Sequence, residues 1–305
     1  MKTVLLATGQ GSQYVGMMKD FYGEFANAKK LINYADEILG YKISEICFDG
    51  PAETLKETRY TQPALFLHAA VTSKELRERL SFDATAGHSV GEYAALYAAD
   101  VLDFESALQL VALRGKLMFE AGEHTPGTMF AVIGLQDEKV EDVCKTLTEN
   151  APDGEVIVPA NYNCPGQIVV SGSADYLRSN AAEFKKAGAK IVKELTVSGA
   201  FHSPLMLPAK LELEEAIRKT DFHKASVPVY ANVSAEPLSD AEAIKQALVK
   251  QLTSPVLWTQ SVRRMHTDGI TRFIETGPGK VLQGLVKRIL KDVEIYGIDK
   301  TTDLP

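Results

Sequence analysis

The chain has 305 residues, 45% of them hydrophobic and 24% charged, enough apolar material for one large domain or for a large domain carrying a smaller one. Its formal net charge of -7 argues against nucleic acid and anionic membrane surfaces as partners, because both repel a negative chain. No apolar stretch approaches the roughly 20 residues that cross a bilayer, and the apolar run at the start is too short for a secretory signal.

Thr3 to Thr8 is a short apolar run ending in Gly9-Gln10-Gly11-Ser12-Gln13, which predicts a strand feeding a glycine-bearing loop. Helices are predicted around 20–39 and 62–79. A further run leads into Gly87-His88-Ser89-Val90-Gly91, followed by predicted helices at Glu92–Ala99 and Phe104–Ala121. From Pro126 the pattern changes to strand (Met129–Gly134), helix (Asp137–Glu149), strand (Glu155–Ala160), strand (Gln167–Ser171), helix (Ala174–Ala187) and strand (Lys190–Val197). That β-α-β-β-α-β order predicts a ferredoxin-like module, with Pro126-Gly127 and Ser198-Gly199 as hinges. The larger pattern then resumes with a helix at Pro208–Lys219, a strand at Val227–Asn232, a helix at Asp240–Leu252, and Gly269–Glu275 leading to Gly277-Pro278-Gly279. The expected domains are therefore 1–125 with 199–305, an α/β domain, and 126–198, an insert. Cys47, Cys144 and Cys164 are scattered, match no zinc spacing and suit a reducing cytoplasm. No metal is expected.

Ser89 lies in G-x-S-x-G, where glycines permit a sharp strand-to-helix turn that lifts the hydroxyl out of the sheet. The following helix aims its unpaired amides at that point, so an oxyanion formed there would be stabilised. Gln10 sits in the loop after the first strand; its amide and that of Val90 form a candidate oxyanion hole, while a simple tight turn explains the same loop equally well. A serine nucleophile needs a base of near-neutral pKa, and His202, in the loop where the chain leaves the insert, competes for that role with His68, His88, His124, His223 and His266. Arg114 has Leu110, Val111, Leu117 and Met118 as its neighbours one helical turn away, so its guanidinium falls on a buried face. It must be paired there, either in an internal salt bridge to an acid or as a clamp for a substrate carboxylate.

Several blocks, taken together, resemble the malonyl-CoA:acyl-carrier-protein transacylases of fatty-acid synthesis and the related acyltransferases of polyketide synthesis. They are Gly9-Gln10-Gly11-Ser12-Gln13, Thr61-Gln62-Pro63-Ala64, Gly87-His88-Ser89-Val90-Gly91-Glu92, Arg114-Gly115-Lys116, Asn161 through Gln167, Ala200-Phe201-His202-Ser203, Gln251-Leu252 with Pro255-Val256 and Trp258, and Glu275-Thr276-Gly277-Pro278-Gly279. The resemblance implies an α/β-hydrolase-like domain with a ferredoxin-like insert. It implies Ser89 as nucleophile, His202 as base and acid, and the Gln251 main-chain carbonyl as the group orienting the imidazole. The amides of Gln10 and Val90 would form the oxyanion hole, Arg114 would pair with the malonyl carboxylate, and Gln62 and Asn161 would be pocket residues. Thr8 replaces the family's usual proline, and Gly-Ala-Phe-His replaces the His-Ala-Phe-His run of many malonyl-selecting polyketide enzymes. Phe201 is kept, which favours malonyl over methylmalonyl.

The implied reaction moves malonyl from CoA to the phosphopantetheine thiol of a separate acyl carrier protein, by ping-pong kinetics and without a cofactor. The enzyme is expected to be a monomer in the cytoplasm. A serine thioesterase or esterase on the same elbow is the alternative, and it would call for an acid between Ser89 and a later histidine. Lys280, Lys287, Arg288 and Lys291 form a candidate docking patch for an acidic carrier, with Lys287 and Lys291 spaced to share a helix face; an ordinary solvated face accounts for them equally well.

Overall fold

The computed structural model describes residues 1–305, a mixed α/β structure with two sheets. Strands β1 (Lys2–Ala7), β2 (Ala84–Gly87), β7 (Val229–Tyr230), β8 (Pro237–Leu238), β9 (Ile270–Thr276) and β10 (Glu294–Ile298) make a six-stranded sheet in the order β10-β9-β1-β2-β7-β8. All neighbours in it are parallel except the β7–β8 hairpin. The central strand β1 is buried on both faces from Thr3 onward, which is why its sequence is a continuous apolar run rather than an alternating one. Strands β3 (Gly127–Ile133), β4 (Ile157–Cys164), β5 (Gln167–Ser173) and β6 (Ile191–Glu194) form a separate antiparallel sheet in the order β4-β5-β3-β6.

Two long helices, Thr58–Arg77 and Phe104–His124, pass through the largest hydrophobic core. The first begins a turn earlier than its pattern predicts and carries Pro63 inside it. Pro63 has no N–H to give the Arg59 carbonyl, so one bond of the helix ladder is missing there. The second starts from Asp103, whose carboxylate accepts the Ser106 N–H at 2.7 Å, a helix-capping bond.

Elsewhere the predicted helix at 20–39 is two helices, Lys19–Glu24 and Ala26–Leu39, because Phe25 adopts an extended backbone between them. Helices Ile43–Asp49, Ala52–Lys56 and Trp258–Thr267 and strand β10 have no counterpart among the predicted elements. The predicted strand Lys190–Val197 is only Ile191–Glu194, an edge strand followed by one more bond to β3, from the Leu195 N–H to the Met129 carbonyl at 2.9 Å. The two chain passages between the sheets run in contact: a Cβ on Gly127 would fall 2.5 Å from the Ala200 backbone nitrogen. Glycine is therefore required at 127 by close approach.

Candidate active site

The carboxyl ends of β1, β2 and β7 meet at one crevice, where the strands are neighbours in the sheet; loops leaving such ends are the usual binding edge of a parallel sheet. Strand β2 ends at Gly87 and helix Gly91–Ala98 starts four residues on, with Ser89 between them at φ +53°. A Cβ on Gly87 would lie 2.0 Å from the Gly91 carbonyl oxygen, and one on Gly91 would lie 2.3 Å from that of Ala7. No side chain fits at either place. The left-handed Ser89 backbone is costly for a residue with a side chain, and it is gripped on both sides. Its N–H donates to Asn232 Oδ1 at 2.8 Å, and its carbonyl accepts from Gln251 Nε2 at 2.9 Å.

His202 Nε2 stands 2.7 Å from Ser89 Oγ. Its Nδ1 faces two carbonyl oxygens, Gln251 at 3.0 Å and Ser254 at 3.1 Å. Carbonyls only accept, so Nδ1 carries the proton and Nε2 is left to accept from the serine hydroxyl. Burial, and after it the charge of Arg114, pushes the His202 pKa down to about 3, against the opposing hydrogen bond to Gln251. The imidazole is thus neutral at physiological pH, the state a general base requires.

Arg114 is 1% exposed. Its Nη2 lies 3.0 Å from Ser89 Oγ and 3.0 Å from Gln251 Oε1, and its Nη1 donates to Gln62 Oε1 at 2.7 Å. Nε has no partner, and the guanidinium carbon sits 5.8 Å from the centre of the Tyr93 ring. No carboxylate pairs with it, which removes the internal salt bridge from the two arrangements open to it. A buried cation solvated only by amides and a hydroxyl favours an incoming anion, because desolvation makes the missing counter-charge costly. The nearest acid in the network, Glu92, reaches it only through Gln251, whose Nε2 donates to Glu92 Oε2 at 2.7 Å.

The main-chain N–H groups of Gln10 and Val90 donate to no protein group, and both residues line a cleft of about 480 Å³ over Ser89. Arg114, Asn161, Phe201 and His202 also line it. Gln62 stands one layer back, behind the guanidinium, and Gln251 beneath the serine. A second depression of about 500 Å³, between Tyr41, Arg59, Tyr60 and Phe119, holds Glu120 and Glu123 but no serine, cysteine or histidine, so the serine–histidine pair belongs to the cleft over Ser89. No group of three His, Cys, Asp or Glu side chains is placed to hold a metal ion, and no helix is long and apolar enough to cross a membrane.

Glu92, Asn232 and the Ser254 carbonyl join the site without being singled out by sequence patterns. Asn232 had the clearest signal: it follows β7 at the carboxyl edge of the sheet that holds Gln10 and Ser89. The four basic residues expected to form a docking patch do not share one helix face. Helix Val281–Ile289 ends before Lys291, so Lys287 and Lys291 do not share a helix face, and Arg288 is engaged with Gln167 Oε1 at 2.6 Å.

Residues 4–301 match the acyl transferase domain family. The chain is 42% identical over 303 residues to a malonyl CoA-acyl carrier protein transacylase of Staphylococcus aureus, covering 99% of this chain and 97% of that protein. Its structure is similar to that of an acyl carrier protein S-malonyltransferase from Vibrio cholerae, with a TM-score of 0.94, 40% identity and coverage of 99% and 98% of the two chains. It is also similar to a malonyl-transacylase solved in complex with its type II PKS acyl-carrier protein, with a TM-score of 0.93, 37% identity and coverage of 99% and 97%. With a strained serine elbow, a neutral buried histidine and an unpaired arginine at one point, and with this similarity along nearly its whole length, the chain belongs to the acyl transferase domain family.

Proposed function

We propose that the protein transfers malonyl from malonyl-CoA to the phosphopantetheine thiol of an acyl carrier protein through a malonyl ester on Ser89. The observation that carries this reading is Arg114, a fully buried cation with no acidic partner, whose Nη2 lies 3.0 Å from the nucleophilic oxygen. A malonyl group on Ser89 ends in a carboxylate, and a planar guanidinium is the natural partner for one.

His202 Nε2 takes the Ser89 proton as Oγ attacks the thioester carbonyl carbon, and the resulting oxyanion is received by the Gln10 and Val90 amides. Collapse breaks the carbon–sulfur bond, and the imidazolium returns its proton to the departing CoA thiolate. The carrier thiol then gives its proton to His202, attacks the ester and regenerates Ser89, which makes the kinetics ping-pong. Two carbonyls stand behind His202 where a hydrolase would place an acid. They fix the tautomer, and exchange between two thioesters of similar energy asks for no stronger driving force. Each step is assigned to a group of this chain, so we take the reaction to need no cofactor.

The same reading divides the chain into an α/β-hydrolase-like domain, 1–125 with 199–305, and a ferredoxin-like insert, 126–198. The β4-β5-β3-β6 order of the second sheet supports that division, since it is the strand order of a split βαβ module. Asn161 and Phe201 would shape the acyl pocket, Phe201 crowding an α-methyl group. A cytoplasmic monomer acting on a separate carrier fits a chain of this charge and size.

Incubation with malonyl-CoA should give a mass adduct on Ser89 that persists in water and is discharged by an acyl carrier protein. Ser89→Ala should form no adduct and lose transfer by on the order of 10⁴-fold or more. An adduct in that variant, or prompt release of free malonate without transfer to any carrier, overturns the assignment, the second in favour of a thioesterase. Carriers from fatty-acid and polyketide synthesis, assayed side by side, identify the pathway.

A further inference from the structure

Ser89 is held at its N–H by Asn232 and at its carbonyl by Gln251, and both of those residues hang on one oxygen atom. Glu92 Oε2 accepts from Gln251 Nε2 at 2.7 Å and from the Asn232 backbone N–H at 3.2 Å. Glu92 is 2% exposed, in the first turn of the helix that leaves the elbow. The far end of the Gln251 amide, Oε1, accepts from Arg114 Nη2 at 3.0 Å. Thus one amide touches the nucleophile's backbone, the guanidinium and Glu92.

An amide side chain has an oxygen end and a nitrogen end of nearly equal size, and only its partners decide which way round it lies. Turned over, Gln251 would set Nε2 against the Arg114 guanidinium, donor to donor, and would lose its bond to the Ser89 carbonyl. Glu92 adds the buried acceptor that opposes that turn alongside Arg114 and the Ser89 carbonyl, because Gln251 Oε1 would then face Oε2, acceptor to acceptor. Burial raises the Glu92 pKa to about 7, with the bonds from Gln251 and Asn232 and the charge of Arg114 acting in the other direction. A proton on Oε1 leaves Oε2 free to accept, so the device works in both protonation states.

We infer that Glu92 is a positioning residue that locks the orientation of Gln251 and thereby holds Ser89 and Arg114 in register for a substrate that ends in a carboxylate. This rests on the reading of Arg114 as the partner of the malonyl carboxylate. The requirement is for an acceptor atom at the right distance; a negative charge is not needed.

The test compares Glu92→Asp, which keeps the charge but withdraws the oxygen, with Glu92→Gln, which keeps an acceptor at full reach and removes the charge. The readout is the ratio of malonyl-CoA to acetyl-CoA kcat/KM for acylation, measured on one sample, so that any loss of folded protein cancels. Glu92→Asp is expected to lower the ratio about tenfold, and Glu92→Gln to hold it within about threefold. A retained ratio in Glu92→Asp, or a lost one in Glu92→Gln, overturns the inference; the two together would show that charge decides. Arg114→Ala is run alongside. If it lowers the ratio while Glu92→Asp does not, only the role of Glu92 fails; if Arg114→Ala leaves the ratio unchanged, the carboxylate reading fails and this inference with it.

Discussion

In the four-stranded sheet region the polar and apolar groups sort themselves by local pattern. Helices Asp137–Glu149 and Ala174–Lys186 bury Val140, Leu177 and Phe184 against Phe130, Ile168 and Val170, while pairs such as Arg178–Glu194 stay at the exposed rim. At the carboxyl end of the six-stranded sheet the arrangement is reversed. Ser89, Glu92, Arg114, His202, Asn232 and Gln251 are polar, mostly buried, and bonded to one another across sequence separations from 25 to 162 residues. The first region owes its stability to apolar burial that neighbouring residues can supply. The second spends part of that stability on a positive-φ serine, an unpaired cation and a desolvated carboxyl group, as functional sites do.

Damage to the two regions should therefore read out differently. Phe184 is fully buried in the smaller core, and Phe184→Ala should lower stability by about 3–5 kcal/mol through lost burial and a residual cavity. A thermal melt should show the loss, while the malonyl-to-acetyl ratio of the folded enzyme stays as it was. A changed ratio would mean that the packing of the smaller core reaches the cleft, through Asn161 of β4 and Val169 of β5.

Arg114→Ala should do the opposite. Removing the partner of a desolvated carboxylate typically costs about 2–5 kcal/mol, so the malonyl-to-acetyl ratio of kcat/KM should fall by at least on the order of thirtyfold. A neutral acetyl group loses no partner, and the melting temperature should fall little or even rise, since an uncompensated buried cation is gone.

The pH profile of acylation sharpens the contrast further. His202 must be neutral to act, so its rate falls only as pH drops through its own pKa, which burial and Arg114 hold down at about 3. Between pH 8 and pH 5 acylation should change less than about twofold, whereas an imidazole titrating near 6.5 would lose about thirtyfold. Glu92, titrating at about 7, keeps an acceptor oxygen in either state and should leave the plateau flat. Stability follows His202, with the sign set by its depressed pKa. Below the ordinary histidine value of 6.5 the unfolded chain takes up a proton that the folded one refuses, so stability declines from there towards pH 3. Arg114→Ala should move the fall in activity to higher pH.

The smallest effect is expected at the rim. Lys287 is exposed on helix Val281–Ile289, whereas Arg288 is tied to Gln167 of β5. Lys287→Glu should raise the KM for an acidic carrier several-fold and leave that for malonyl-CoA unchanged. Equal changes in both would place a CoA phosphate, not a carrier, at this lysine.

Sequence alone determined the elements whose cause is local: the apolar run of β1, the helix Asp137–Glu149 matched at both ends, and the glycine-flanked elbow. It also placed Arg114 on a buried face, because helical periodicity is a property of neighbouring residues. It did not decide what that arginine faces. The choice between an internal salt bridge and an open clamp depends on which side chains of residues 62, 89 and 251 arrive at the same point. The short β7 and the cooperation of Glu92 with Asn232 belong to the same class. In each, the deciding contacts join residues distant in the chain, and no local periodicity records them; only the packing of the tertiary structure brings those partners together.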